Sequence, residues 1–282
     1  MTKISDYKAQ LLQKVQEAGD QLDSGAQKML DLAGSDEQIV ALIERLANPA
    51  TSVNDQLSAI NTLGVVSIFS KVLPTRSADL TNALRGLINS PDAEVRRQAL
   101  SYLSLMGDEI AQQHLRTELE SDKPEAEKSV PTHQAISMLG MDEKAVDKAL
   151  LQAIAQNPPD EESLVQAVRH LPADADTAAV LMEILQDESK PIAARSLVPD
   201  IVNNVDPGGF AICAKRMLEE QGAEGEIAPF LARGVAGIRA DNKQKEVEET
   251  KAVVRSLASA GPTSFQQAAS QLMPPDETSS DN

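Results

Sequence analysis

The chain has no tryptophan, two tyrosines and four phenylalanines in 282 residues, so aromatic side chains make up only 2%. That argues against the stacking platforms that hold sugars or single-stranded nucleic acids, where aromatic faces supply much of the contact energy. A single cysteine, Cys213, excludes an internal disulfide framework. Its setting, Gly209-Phe210-Ala211-Ile212-Cys213-Ala214, reads as a buried small hydrophobe rather than a reactive thiol. The first twenty residues interleave Lys3, Asp6, Lys8, Lys14, Glu17 and Asp20 with apolar positions, which is neither a signal peptide nor a transmembrane span. A cytoplasmic location is the expectation. Basic side chains are scarce too, 26 against 43 acidic, for a net charge of −17. Such a surface repels phosphate backbones and favours basic partners or plain solubility. Neither nucleic acid nor membrane is expected as a partner.

What is present is a period. Pro91, Pro124, Pro158 and Pro191 lie 33, 34 and 33 residues apart, each between two stretches patterned as helix. A fixed spacing of that length marks stacked helical repeats, in which no unit buries its apolar face alone. Hydrophobic residues at 41% suffice for a continuous core of Leu, Ile, Val, Ala and Met. The helix pairs read as 36–47 with 53–72, 79–89 with 92–106, 109–121 with 131–140, 144–156 with 161–171, 175–186 with 191–204, and 208–221 with 226–238. Proline suits the joints because it disfavours helical geometry in the residue before it yet fits the first turn of the next helix. Gly64, Gly107 and Gly140 are expected to close second helices as left-handed caps.

The fold class expected is all-α: a solenoid of about six helical hairpins between capping helices. Residues 1–35 form the N-terminal cap, with Ile4, Tyr7, Leu11, Val15, Ala18 and Leu22 on one helical face. The repeats fill 36–240. A closing helix of about 18 residues and a short one over 266–273 make the C-terminal cap, 241–273. Residues 274–282 read as a disordered acidic tail.

Ser90-Pro91-Asp92-Ala93-Glu94-Val95-Arg96-Arg97-Gln98-Ala99-Leu100, followed by Leu103 and Gly107, resembles a HEAT repeat of the short bacterial kind, which includes the phycobilisome-lyase-type repeats. The family pattern is a turn Asp, then Val-Arg early in the second helix, then small and apolar residues down its buried face. Asp92 is suited to accept backbone N–H groups at the helix start. Arg96 is expected to reach the turn Asp of its own or a neighbouring repeat and hold the register. Asp187 through Pro191-Ile192-Ala193-Ala194-Arg195 resembles the same motif with its Arg retained. The resemblance covers about 200 residues in architecture and two repeats in motif. The first repeat has Val53-Asn54 where Val-Arg would stand, and the third and fourth lack the pair.

Residues for chemistry are few. His114, His133 and His170 sit on separate helices, and no Cys or His pair has zinc-ligand spacing. Gly208-Gly209 after Asp206-Pro207 opens a helix but lacks the rest of a phosphate loop. No catalytic residue, metal or cofactor is assigned. The resemblance implies a protein-interaction scaffold or adapter that binds a protein or peptide along a groove lined by second helices. The candidate contacts there are Arg97, Ser101, Gln134, Ser137, Arg169 and Arg195, with Asp92 and Arg96 setting register. Arginine is favoured because it is enriched at interface hot spots and grips carboxylates in a bidentate manner. Two other readings belong to the same repeat type. One is a bilin lyase acting on linear tetrapyrroles, against which the shortage of aromatics and histidines argues. The other is a repair enzyme reading alkylated bases, which needs a basic groove that a chain at −17 does not supply.

Overall fold

The computed structural model describes residues 31–140, 147–239, 242 and 244–273. Residues 1–30 of the expected N-terminal cap, residues 144–146 of the fourth helix pair and the acidic tail 274–282 lie outside the described residues. The chain divides into two compact units between Ala145 and Val146. Among the described residues all regular structure is helical.

The first unit comprises α1 (Asp36–Ala47), α2 (Val53–Phe69), α3 (Ser77–Leu87), α4 (Ala93–Leu105), α5 (Glu109–Glu120) and α6 (Thr132–Leu139). α1 with α2, α3 with α4 and α5 with α6 pack as hairpins. Within this unit α1 also packs on α3, and α4 on both α2 and α6, so first helices and second helices form separate layers. The faces they share carry the core: Ile39, Leu63, Leu84, Val95, Leu100, Leu115 and Ile136 have no accessible surface. Removal of such side chains from water is the main favourable term holding a stack of short helices together.

The second unit comprises α7 (Lys148–Gln156), α8 (Glu161–His170), α9 (Ala175–Gln186), α10 (Ile192–Arg195), α11 (Val198–Val202), α12 (Pro207–Gln221), α13 (Ala228–Gly237), α14 (Lys245–Ala258) and α15 (Thr263–Ala269). Here too α7, α9, α12 and α14 pack in sequence as one layer, while α8 packs on α10, α11 on α13 and α13 on α15. The four periodic prolines all fall in turns between the two helices of a hairpin, as their spacing predicts.

Local chemistry explains where the helices begin. Ser35, Ser52, Asp92, Asp108, Asp147, Asp160, Asp174 and Asp206 each accept a backbone N–H with the side chain at a helix start. Carboxylates favour that position because they meet orphaned donors and the positive end of the helix dipole. Part of the chain's acidity is therefore a requirement of starting many short helices. The period also appears in side-chain bonds between successive hairpins. Arg233 pairs with Asp200, Gln221 donates to Glu188, and Lys215 pairs with Glu249, at separations of 33, 33 and 34 residues.

Three expectations need correction. Of the three glycines expected as left-handed caps only Gly107 is one, at φ 71°. Gly140 caps α6 at φ −65°, and Gly64 lies inside α2, where an added methyl would meet the Tyr102 ring at 3.5 Å. The second helix over 191–204 is two short helices, because Pro199 has no N–H for the Arg195 carbonyl and its ring crowds that oxygen. The closing helix α14 has 14 residues rather than about 18.

Candidate binding groove

In the first unit a groove of about 720 Å³ lies between α1 and α3. Its floor is apolar, with Ile43 and Leu46 from α1 and Ala83 and Leu87 from α3, all buried. The turn prolines Pro49 and Pro91 stand at one end. Glu44, Asp79, Asn82 and Asn89 line its exposed sides, and no lysine or arginine does. Gly86 faces the groove, and a methyl group added there would meet nothing within 4 Å. Asp79 has Arg76 at 3.9 Å, at the edge of ion-pair range and outside the lining. The site is thus an apolar trough with carboxylates and amides on its banks. It suits a segment that presents apolar side chains together with basic groups or backbone amides.

The residues expected to bind a partner lie elsewhere. None of Arg97, Ser101, Gln134, Ser137, Arg169 and Arg195 lines this groove. Arg97 is paired with Glu94 on its own helix, and that guanidinium holds the Glu94 carboxyl down to about 2. Ser101 and Gln134 are half-buried on α4 and α6, and Ser137 is exposed on α6. In the second unit Arg169 is exposed at the end of α8. Arg195 is only 7% exposed and donates through Nε to the Leu185 carbonyl at 3.0 Å, leaving Nη2 buried without a partner.

The register residues act through the backbone. Asp92 accepts from the N–H groups of Glu94 and Val95 at 3.0 and 2.9 Å. Arg96 does not bind that carboxylate. It donates to the carbonyls of Ser90 and Pro91 in its own turn, and at 3.4 Å to Ser129 in the next hairpin. The helix start already uses the Asp92 carboxylate, while the turn leaves two carbonyls without helical partners.

Cys213 is buried and His170 half-buried. Burial pushes the Cys213 thiol above its ordinary value, and burial followed by the Arg169 charge lowers His170. His114 Nε2 lies 3.0 Å from the Ser129 hydroxyl, but the Glu118 carboxylate beside them is taken by Lys123 and the Ser129 N–H. Among the described residues no group of three His, Cys, Asp or Glu gathers as a metal site. Nor is any described helix long and apolar enough to cross a membrane.

The groove could not be found from the sequence by the features that gave the hairpins. Its signal was present in part: turn prolines at 49 and 91, and a glycine within a helical stretch at 86. Their convergence depends on the spacing of α1 and α3. Comparison of the chain with protein-family models, with curated proteins and with solved structures finds no match to any of them.

Proposed function

We propose that the chain is a non-catalytic interaction scaffold, an α-solenoid of HEAT-like hairpins that holds a segment of a partner protein. The observation that carries this reading is the α1–α3 groove, with its apolar floor and its charged lining of carboxylates alone. A segment with alternating or helical apolar side chains would bury them against Ile43, Leu46 and Leu87. Lysine or arginine at its flanks would meet Glu44 and Asp79. A net charge of −17 adds long-range attraction for such a partner, strongest at low salt. Burial in the trough supplies affinity, and the carboxylates supply orientation and rate of encounter.

Selection of peptides from a random display library on the full chain tests this directly. The enriched sequences should combine apolar residues with Lys or Arg. Their affinity should fall about tenfold or more for Gly86→Phe, which fills the groove, and by less for Glu44→Lys, whose charge lies at a solvated edge. Absence of any enriched peptide, or peptides indifferent to Gly86→Phe, would overturn the assignment.

A further inference from the structure

The outward face of α2 changes character along its length. Asn54, Ser58 and Asn61 are followed at helical spacing by Val65 and Ile68, which remain 45% and 46% exposed. α4 repeats the change, with Arg97 and Ser101 giving way to Leu105 at 68%. Met106 and Ile110, at the junction with α5, are 40% and 50% exposed.

These side chains share one end of the unit. α2 packs on α4, and the Tyr102 hydroxyl donates to the Leu63 carbonyl at 3.2 Å. Ile68 lies one turn beyond Gly64, and Leu105 and Met106 lie one turn beyond the Tyr102 ring that Gly64 faces. An exposed cluster of large apolar residues marks a surface made to be covered. Among the described residues the other large exposed hydrophobics, Val53, Ile212 and Met273, are scattered through the sequence.

The chain enters the unit at this same end. The hydroxyl of Ser70, the residue after α2, donates to the Ala33 carbonyl at 2.6 Å, and Ala33 is buried. The first described residues, 31–34, therefore lie beside the C-terminal end of α2. The sequence before them carries the stripe Ile4, Tyr7, Leu11, Val15, Ala18 and Leu22. As a helix, residues 4–22 would span about 28 Å at 1.5 Å per residue, enough to cross two neighbouring helices spaced about 10 Å apart.

We propose that the face formed by Val65, Ile68, Leu105, Met106 and Ile110 is the seat of the chain's own residues 4–22, docked as an amphipathic helix through that stripe. Docking covers the apolar ends of two second helices and leaves the α1–α3 groove free. The inference does not rest on the function proposed for the groove.

The test uses the full chain carrying Leu105→Cys, with Ile110→Cys as a second reporter, and follows reaction of the introduced thiol with a chromogenic disulfide. The unsubstituted chain gives the background from Cys213, which is 6% exposed. Asn82→Cys, on the exposed side of α3, serves as a reporter away from the face. The introduced thiol at 105 or 110 should react about tenfold more slowly than in the same chain carrying Leu11→Asp and Val15→Asp. That protection should be independent of protein concentration, and the reporter at 82 should not change. Equal rates with and without the aspartates would overturn the proposal. Protection that grows with protein concentration would also overturn it and assign the face to a second copy.

Discussion

Gly86 in α3 and Gly234 in α13 both lie within helices, yet a methyl group added to each would meet opposite surroundings. At Gly86 it would find open space in the groove of the first unit. At Gly234 it would lie 2.6 Å from Pro199 Cβ and 2.7 Å from the Phe210 ring. The same residue type therefore borders open space in one unit and lets three elements close together in the other. The braces between hairpins differ likewise. In the first unit Arg85 of α3 pairs at 2.6 Å with Asp108, the cap of α5, whose side chain is 5% exposed. In the second, Lys148 of α7 pairs at 2.7 Å with Asp174, the cap of α9, whose side chain is 42% exposed. One geometry, a cation on a first helix meeting the capping carboxylate of the next, is thus built enclosed and built open.

The glycines give the largest expected contrast. Gly234→Ala should destabilise the second unit by about 2–3 kcal/mol through overpacking. Gly86→Ala should stabilise the first by up to about 1 kcal/mol through helix propensity. Chemical denaturation of the full chain, with hydrogen exchange assigning each transition to its unit, measures both. Equal effects would remove the distinction between a sealed and an open face.

The two motif arginines come next. Arg195→Ala strips a buried carbonyl of its donor and leaves a cavity, at an expected cost of about 2–3 kcal/mol. Arg96→Ala removes bonds from a half-exposed turn, for about 1 kcal/mol. Reversal of that order in the same denaturation series would mean that Arg96, through Ser129, carries more of the stacking than its exposure indicates.

The braces separate by pH. Asp108 is raised by burial, yet its bonds from Arg85 and from the backbone of α5 prevail and hold it below the usual carboxylate value. Its contribution is present above the unfolded value, near 4, and is lost as pH falls through the lower folded value. Asp108→Asn should cost about 1–2 kcal/mol at neutral pH and progressively less below pH 4. Asp174, lowered first by its bond from Lys148, is solvated, so Asp174→Asn should produce the smaller change at every pH. Urea midpoints across pH 2–7 distinguish the two, and equal pH profiles would contradict the contrast.

The hairpins were legible because their determinants are local. Aspartate and serine caps, turn prolines and three-and-four apolar spacing lie within a few residues of the structure they specify. The break between α10 and α11 was not legible, because the apolar pattern runs across it even though Pro199 stands four residues after Arg195. Gly64 misleads because a glycine at that spacing suggests a helix end, whereas it lies inside α2, facing an aromatic ring 38 residues on. The groove was not legible, since it depends on how far apart α1 and α3 settle. Reasoning from the repeat pointed instead to the second helices, where Arg97 is held by Glu94 and Arg195 by Leu185.

The most direct measurement is hydrogen exchange of the full chain with and without a saturating selected peptide. Protection should concentrate in residues 43–56 and 79–91, the walls of the α1–α3 groove, with little change across 207–258. Protection centred on Arg97, Ser101, Gln134 and Ser137, or confined to the second unit, would contradict the groove as the binding site.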